Sequence, residues 1–245
     1  MSFKRLFDIF VSFFALILFL PVLLVFILFV WLYDFHNPFY VAPRIGFRGK
    51  LFPMIKIRSM VVNADSSGVD STSVSDPRIT PIGHYIRKFK LDELTQLINV
   101  VRGDMSLVGP RPNVKREVAL YTSLETKLLD VRPGITDIAS IVFSDESDIL
   151  ANSTDPDIDY NQLIRPGKGL LGVYYVENRS IILDLSLIFI TAVSIVSRKK
   201  SLSLLRSLLL SMNAPSEVIR IASRRFPLVP SPPYGAAHVV NNRST

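Results

Sequence analysis

Cysteine is absent from the 245 residues, which excludes a disulfide framework and a thiolate metal site and suits a reducing compartment. Histidine is scarce, and His36, His84 and His238 lie too far apart to form an HExxH pattern, so catalytic zinc of that type is also excluded. Net charge is missing from the body of the chain. The formal +7 suggests nucleic-acid binding, yet eight of the 28 Lys/Arg and one of the 21 Asp/Glu fall in residues 198–245, leaving 20 of each sign in residues 1–197. The excess is all in the tail, so a basic nucleic-acid-binding body is not expected.

A chain of this length allows one domain of ordinary size with appendages, and its 49% hydrophobic residues suffice for a core and a membrane element. Ile9 to Tyr33 supplies the membrane element, 25 residues interrupted only by Ser12 and Pro21. As one helix the run would reach about 37 Å, enough to cross a hydrocarbon core of roughly 30 Å. It is too long for a signal peptide, and no small-residue cleavage site follows. Cations flank both ends, Lys4 and Arg5 before it and Arg44, Arg48, Lys50, Lys56 and Arg58 after it, which draws both ends to the cytoplasmic side. Pro21, near the midpoint, costs about 3 kcal/mol in a helix interior and favours a bend. Residues 1–38 are therefore expected to form a re-entrant membrane helix hairpin, with a single spanning anchor as the rival.

From Phe39 to Met60, short apolar pieces broken by Pro43, Gly46, Gly49 and Pro53 predict a small β-hairpin leading into IKIRSM. There Lys56 and Arg58 share a strand face and can grip a diphosphate. Residues 65–77 read as a polar loop. Val118, Tyr121, Leu124 and Leu128 predict one amphipathic helix over residues 115–130. Residues 145–159 are rich in acid and read as a solvated loop, with a sugar-selecting lid as the lesser alternative; Asp155, Asp157 and Asp159 imitate a calcium loop, but Tyr160 and Pro166 stand where Gly and Glu are needed. Gly167, Gly169 and Gly172 match GxGxxG, yet the strand-like VYYVENRS after them removes the strand-turn-helix context of a dinucleotide site. Ile181 to Val196 is too short for a comfortable span and contains Asp184, so it is expected to be a buried or interfacial helix. SRKKSLSLLRSLLLSM sets Arg198, Lys199, Lys200 and Arg206 against leucines, a composition suited to an anionic membrane surface. Proline and small polar residues from Phe226 onward read as a disordered end.

Acid, base and turn residues are densest in RKFKLDELTQLINVVRGDMSLVGPRP, residues 87–112. Ile86, Phe89, Leu94, Leu97, Ile98 and Val101 recur at helical steps, and Arg102 and Gly103 supply a stop. At about 100° per residue, Asp92 joins a polar arc with Lys88, Gln96 and Asn99, whereas Glu93 sits at the apolar edge by Phe89 and Leu97. Burial should raise the Glu93 pKa, while cations keep Asp92 ionised as a nucleophile or metal ligand. Taken alone, such a pair is most often a solvated helix face. The turn that follows alters the balance, because Gly109, Pro110 and Pro112 stiffen the backbone around Arg111, and a held guanidinium is a good phosphate fork.

KIRSM at 56–60, DPRIT at 76–80, LDEL at 91–94, GDMSLVGPRP at 103–112 and RPGIT at 132–136 follow one another so that Lys4 to Val196 resembles the bacterial sugar transferase family, whose minimal members are the monotopic phosphoglycosyl transferases. The resemblance implies a mainly helical α+β protein: the re-entrant hairpin of residues 1–38, then a catalytic domain over 39–197 with a small β-hairpin and amphipathic interfacial helices. A basic amphipathic segment and tail, 198–245, lie outside it. It further implies transfer of a sugar phosphate from a UDP-sugar to polyprenol (undecaprenyl) phosphate with release of UMP. That reaction is the first membrane step of surface glycan synthesis, exopolysaccharide or lipopolysaccharide, on the cytoplasmic face of the bacterial inner membrane. Carried onto this chain, Asp92 is the nucleophile and a Mg2+ ligand, Glu93 is its catalytic neighbour, and Lys56, Arg58, Arg87 and Arg111 bind phosphate. No nucleic acid is implied, and the oligomeric state is left open. Two departures stand out: Leu20-Pro21 replaces the family's Ser-Pro, and Asp137 and Ser140 stand where Gly and Gln are usual, which bears on donor preference. The rivals are an inactive membrane scaffold and a basic binding protein. The intact Asp92-Glu93 pair and Arg111 weigh against the first, and confinement of the charge excess to the tail weighs against the second.

Overall fold

Thirty-two residues with little polar interruption form one helix, α1 (Phe3–Asp34). The computed structural model describes residues 3–64 and 76–242, so most of the 65–77 loop lies outside the described residues. Pro21 sits inside α1 without ending it, because a proline removes a single ladder hydrogen bond and the remaining ones carry the helix through. Among the described residues, α1 is the one helix long and apolar enough to cross a membrane, and most of its side chains are exposed.

Both ends of α1 are fastened to the body. Lys4 Nζ donates to Asp184 at 2.5 Å, Arg5 donates to the carbonyls of Val100 and Val101 at 2.5 and 2.9 Å, and Asp8 accepts from Ser106 Oγ at 2.8 Å. At the other end Asp34 accepts two hydrogen bonds from Arg58, at 2.5 and 2.6 Å. Between them Leu23 and Val30 pack with Ile57 and Ile86.

β1 (Phe39–Ile45) and β2 (Leu51–Ile57) form the expected antiparallel hairpin, with Tyr40 opposite Lys56. Arg48 and Gly49 turn the chain at φ 54° and 73°. Next, Thr80 caps α2 (Pro81–Lys88) by accepting from Gly83 N at 2.9 Å, a contact of about 1 kcal/mol. The helix expected to run unbroken to Val101 instead breaks at Lys90, φ 53°, into α3 (Leu91–Leu94) and α4 (Gln96–Arg102). The break lays α3 and α4 against β2: Thr95 Oγ1 donates to Ile55 O at 3.0 Å, and Asn99 accepts from Ile55 N at 3.0 Å and donates to Pro53 O at 2.7 Å. Gln96 and Asn99, placed on a wet arc by helical spacing, are consequently buried.

β3 (Ser106–Val108) runs parallel to β4 (Gly134–Thr136), so the GDMSLVGPRP and RPGIT blocks are one structure. Only glycine allows this approach, since a Cβ on Gly134 would sit 2.1 Å from Gly109 N. The single helix expected over residues 115–130 is replaced by α5 (Lys115–Val118), a loop and a 3-10 turn (Glu125–Asp130). Its cause is a TSLE capping box: Glu125 N donates to Thr122 Oγ1 at 3.1 Å, and Thr122 N donates to Glu125 Oε2 at 3.0 Å. Asp137 and Ser140 make a second such box, which starts α6 (Ile138–Val142).

The acid-rich stretch is not a free loop. It contains α7 (Glu146–Ile149) and α8 (Pro156–Asp159), and a π-helical turn (Tyr160–Ile164) leads into α9 (Arg165–Asn178). The strand-like VYYVENRS thus belongs to a helix. Buried on nearly every side at the centre of the core, α9 gains more from packing its β-branched and aromatic residues than their intrinsic preference opposes. The three glycines are explained there: Gly167 abuts the Phe143 ring, Gly169 abuts Glu125 and Tyr234, and Gly172 abuts Leu128.

α10 (Ile181–Val196) is half-buried, with Asp184 satisfied by Lys4 and by Tyr175 OH at 2.7 Å. α11 (Arg198–Ser211) was expected to lie on a membrane surface, yet Leu205 and Leu209 are fully buried against the core. α12 (Ser216–Ser223) follows. The segment after it, expected to be disordered, is held in place: Thr122 Oγ1 donates to Tyr234 O at 2.6 Å, and Gln162 Nε2 donates to Val240 O at 2.7 Å.

Candidate active site

A cavity of about 400 Å³ opens where β2, α3, the turn after β3 and the α6–α9 region converge. Its size falls within the range of small-molecule sites. Lys56, Arg87, Asp92, Glu93 and Arg111 all line it, so the structure brings five of the six candidate residues together. Arg58 is the exception. β2 ends at Ile57, strand alternation ends with it, and the Arg58 guanidinium is taken by Asp34 and by Asn37 O at 2.9 Å. Its role in this structure is to anchor the end of α1.

The cations are set by neighbouring structure. Lys56 reaches Asp92 at 3.7 Å from the last turn of a strand pinned to α4 by Thr95 and Asn99. Arg87 Nε donates to Ser59 Oγ at 3.1 Å. Arg111 Nη1 donates to Glu93 Oε1 and to Ile135 O, both at 2.9 Å, so the β3–β4 pair holds the guanidinium from behind. Arg44, Lys90 and Lys168 add further positive charge to the lining, which the sequence motifs did not single out.

Asp92 and Glu93 divide opposite to expectation. Burial raises the Asp92 pKa, and Lys56 only partly offsets it. Burial also pushes Glu93 upward, but Arg111, with Lys90 and Lys56, overcomes it and leaves Glu93 below the ordinary carboxylate range. The helical wheel missed this because it could not foresee the break at Lys90 or the arrival of Arg111. Lys56 in turn is lowered by burial, with Asp92 opposing.

A further part of the lining comes from α6 to α9. Ser140, Ser144, Ser147 and Tyr160 face the cavity with Glu146 and Lys168, which form an ion pair, and Lys168 also lies 5.0 Å from the Tyr160 ring centre. Lys168 and Glu146 were legible only if residues 165–178 were read as helix. Asp137, one of the two departures noted above, caps α6, and burial raises its pKa.

As to metal, no group of three or more Asp, Glu or His side chains is gathered among the described residues. Magnesium commonly takes one or two carboxylates and completes its shell with substrate phosphates and water, so adjacent carboxylates in a cation-lined cavity fit its use with a bound diphosphate.

Residues 1–198 match a family model described as bacterial sugar transferase. Exopolysaccharide production protein ExoY of Rhizobium meliloti is 34% identical over 203 residues, which cover 77% of this chain and 83% of that protein. An undecaprenyl-phosphate galactose phosphotransferase of Salmonella typhimurium is 34% identical over 210 residues, 80% of this chain and 40% of the relative. An uncharacterised sugar transferase of Haemophilus influenzae is 37% identical over 210 residues, 80% of this chain and 41% of the relative. The chain therefore spans about two fifths of the length of the latter two.

Proposed function

This chain belongs to the bacterial sugar transferase family, and from that premise we propose that it transfers a sugar phosphate from a UDP-sugar to polyprenol phosphate, releasing UMP. The observation that carries the reading is the gathering of Lys56, Arg87 and Arg111 around Asp92 and Glu93 in one cavity beside a long apolar helix. A donor diphosphate and an acceptor phosphate are both anions, and fixed cations offset their repulsion where charge develops.

In this reading an Asp92 carboxylate oxygen attacks the sugar-bearing phosphorus, and the bond from that phosphorus to the bridging oxygen breaks. UMP departs with the electron pair, leaving a phosphosugar on Asp92. A phosphate oxygen of the polyprenol phosphate then attacks the same phosphorus and returns Asp92 to its carboxylate. Magnesium, held by Asp92 together with the donor phosphates, would supply further neutralisation of charge. Glu93, kept ionised by Arg111, is a weak base, and its contribution is to orient that guanidinium on the phosphates.

We read α1 as re-entrant. Support comes from its two ends, which are bound to one body through Asp184 and the α4 carbonyls at the start and Arg58 at the finish. A spanning helix would carry those ends to opposite sides of a hydrocarbon core roughly 30 Å thick. The active site would then lie at the cytoplasmic interface of the inner membrane, where a polyprenol tail remains in lipid while its phosphate enters the cavity.

The test is UMP release from a panel of UDP-sugars by the membrane-bound protein, with polyprenol phosphate and magnesium supplied. At least one donor should yield acceptor-dependent UMP. Absence of UMP from every donor would overturn the reading.

A further inference from the structure

Arg224, Ser231 and Val240 lie beyond residue 198, where the family match stops, yet they reach back to Asp145 and Gln162, which adjoin the residues of the cavity lining. That lining includes Ser144, Glu146 and Ser147. Asp145, between them, is not part of the lining and is held from behind: Arg198 Nη2 and Arg224 Nη2 each lie 3.0 Å from its Oδ2. Arg198 also donates to Val142 O at 3.2 Å, and the Arg224 guanidinium stands 5.2 Å from the Phe143 ring centre. Gln162, outside the lining but two residues from Tyr160, is tied to the same appended segment: Ser231 N donates to Gln162 O at 3.0 Å and Gln162 Nε2 donates to Val240 O at 2.7 Å.

We propose that Arg198 and Arg224 are positioning residues, and that by clamping Asp145 they fix the wall that reads the hydroxyls of the donor, on its sugar or its ribose. The inference rests on the donor reading above. Besides the phosphate-binding cations, the cavity lining carries the hydroxyls of Ser140, Ser144, Ser147 and Tyr160 with Glu146 and Lys168, a set suited to hydrogen-bonding a polyhydroxylated ring. As a device for stability alone the clamp is poor. Asp145 Oδ1, Arg198 Nε and Arg224 Nη1 are buried without a hydrogen-bond partner among the described residues, and two guanidiniums share one carboxylate. Arg224 also holds a left-handed backbone, φ 46°, which is unfavourable for a long side chain. What the clamp does provide is a fixed direction for Glu146, whose ion pair with Lys168 joins α7 to α9.

The experiment compares the full-length protein with Arg224→Met, Arg198→Met and Arg224→Lys, measuring UMP release across the UDP-sugar panel and inhibition by UMP. Arg224→Met is expected to raise the donor KM about tenfold while kcat stays within about twofold, and Arg224→Lys should recover much of the loss. If the wall reads the sugar, preference among UDP-sugars flattens; if it reads the ribose, KM rises alike for all donors and inhibition by UMP weakens. Should Arg224→Met fail to accumulate, Gln162→Ala loosens the same segment without stranding a charge and should move KM in the same direction. A loss of kcat with KM unchanged, or a lower melting temperature with unchanged kinetics, overturns the clamp. A wild-type protein that turns over beside variants that match it removes this proposal alone. A wild-type protein silent with every donor removes the donor reading and the clamp with it.

Discussion

Asp92 and Glu93 are adjacent in sequence and differ in what faces them. Glu93 meets Arg111 at 2.9 Å, while Asp92 has the lysine at 3.7 Å and a raised pKa dominated by burial. An attacking carboxylate must be ionised, so first-turnover UMP release should rise with pH along a limb lying above the ordinary aspartate range. Lys56 lowers the Asp92 pKa, so removing that charge should raise it further. Lys56→Met is therefore expected to move the acid limb to higher pH, measured at saturating donor so that weaker phosphate binding does not intrude. A limb that stays in place would separate Lys56 from the ionisation of Asp92. The presence of both carboxylates, Lys56, Arg87 and Arg111 was legible in the motifs. Their electrostatic division was not, because it depends on a partner 18 residues further on in the chain. Arg58 was misplaced for a simpler reason: strand alternation was carried one residue past the strand end at Ile57.

Among the elements, the β-hairpin and α10 were legible because their signals are composition and spacing, and so was a long apolar helix near the start, although the hairpin expected there is one helix that runs through Pro21. The break at Lys90 was missed: the apolar steps are three residues from 86 to 89 and from 94 to 97, but five from 89 to 94, the interval in which the backbone turns left-handed. The TSLE box at Thr122 is a signal the reading of residues 115–130 did not use, resting instead on the periodicity of Val118, Tyr121, Leu124 and Leu128. For α1, the re-entrant reading makes a topological prediction that the cysteine-free chain allows to be tested cleanly. Phe3 and Phe35 flank the helix and are 72% and 69% exposed. Phe3→Cys and Phe35→Cys should both react with a membrane-impermeant thiol reagent only when the cytoplasmic face is open to it. Labelling of the two from opposite faces would establish a span.

For the whole molecule, the appended segment is where sequence and structure part most. Its prolines and small polar residues suggest disorder, but order comes from tertiary partners distant in the chain: Tyr234 is bound by Thr122 and Val240 by Gln162. Composition carries no record of such contacts. The same long reach unites the molecule elsewhere, for Lys4 at the start of α1 and Tyr175 in the core both donate to Val108 O, in the strand that leads to Arg111. The start of α1, the strand before the Arg111 turn and a core helix are thus joined at one carbonyl. The account as a whole depends on Asp92 being the atom-bearing residue at the centre of this arrangement. The most direct measurement is mass spectrometry of the protein incubated with a productive UDP-sugar and magnesium but no polyprenol phosphate. A phosphosugar adduct should appear on the peptide containing Asp92, accompanied by about one equivalent of UMP, and should be absent from Asp92→Asn. An adduct on a peptide without Asp92, or wild-type turnover by Asp92→Asn, would contradict the account.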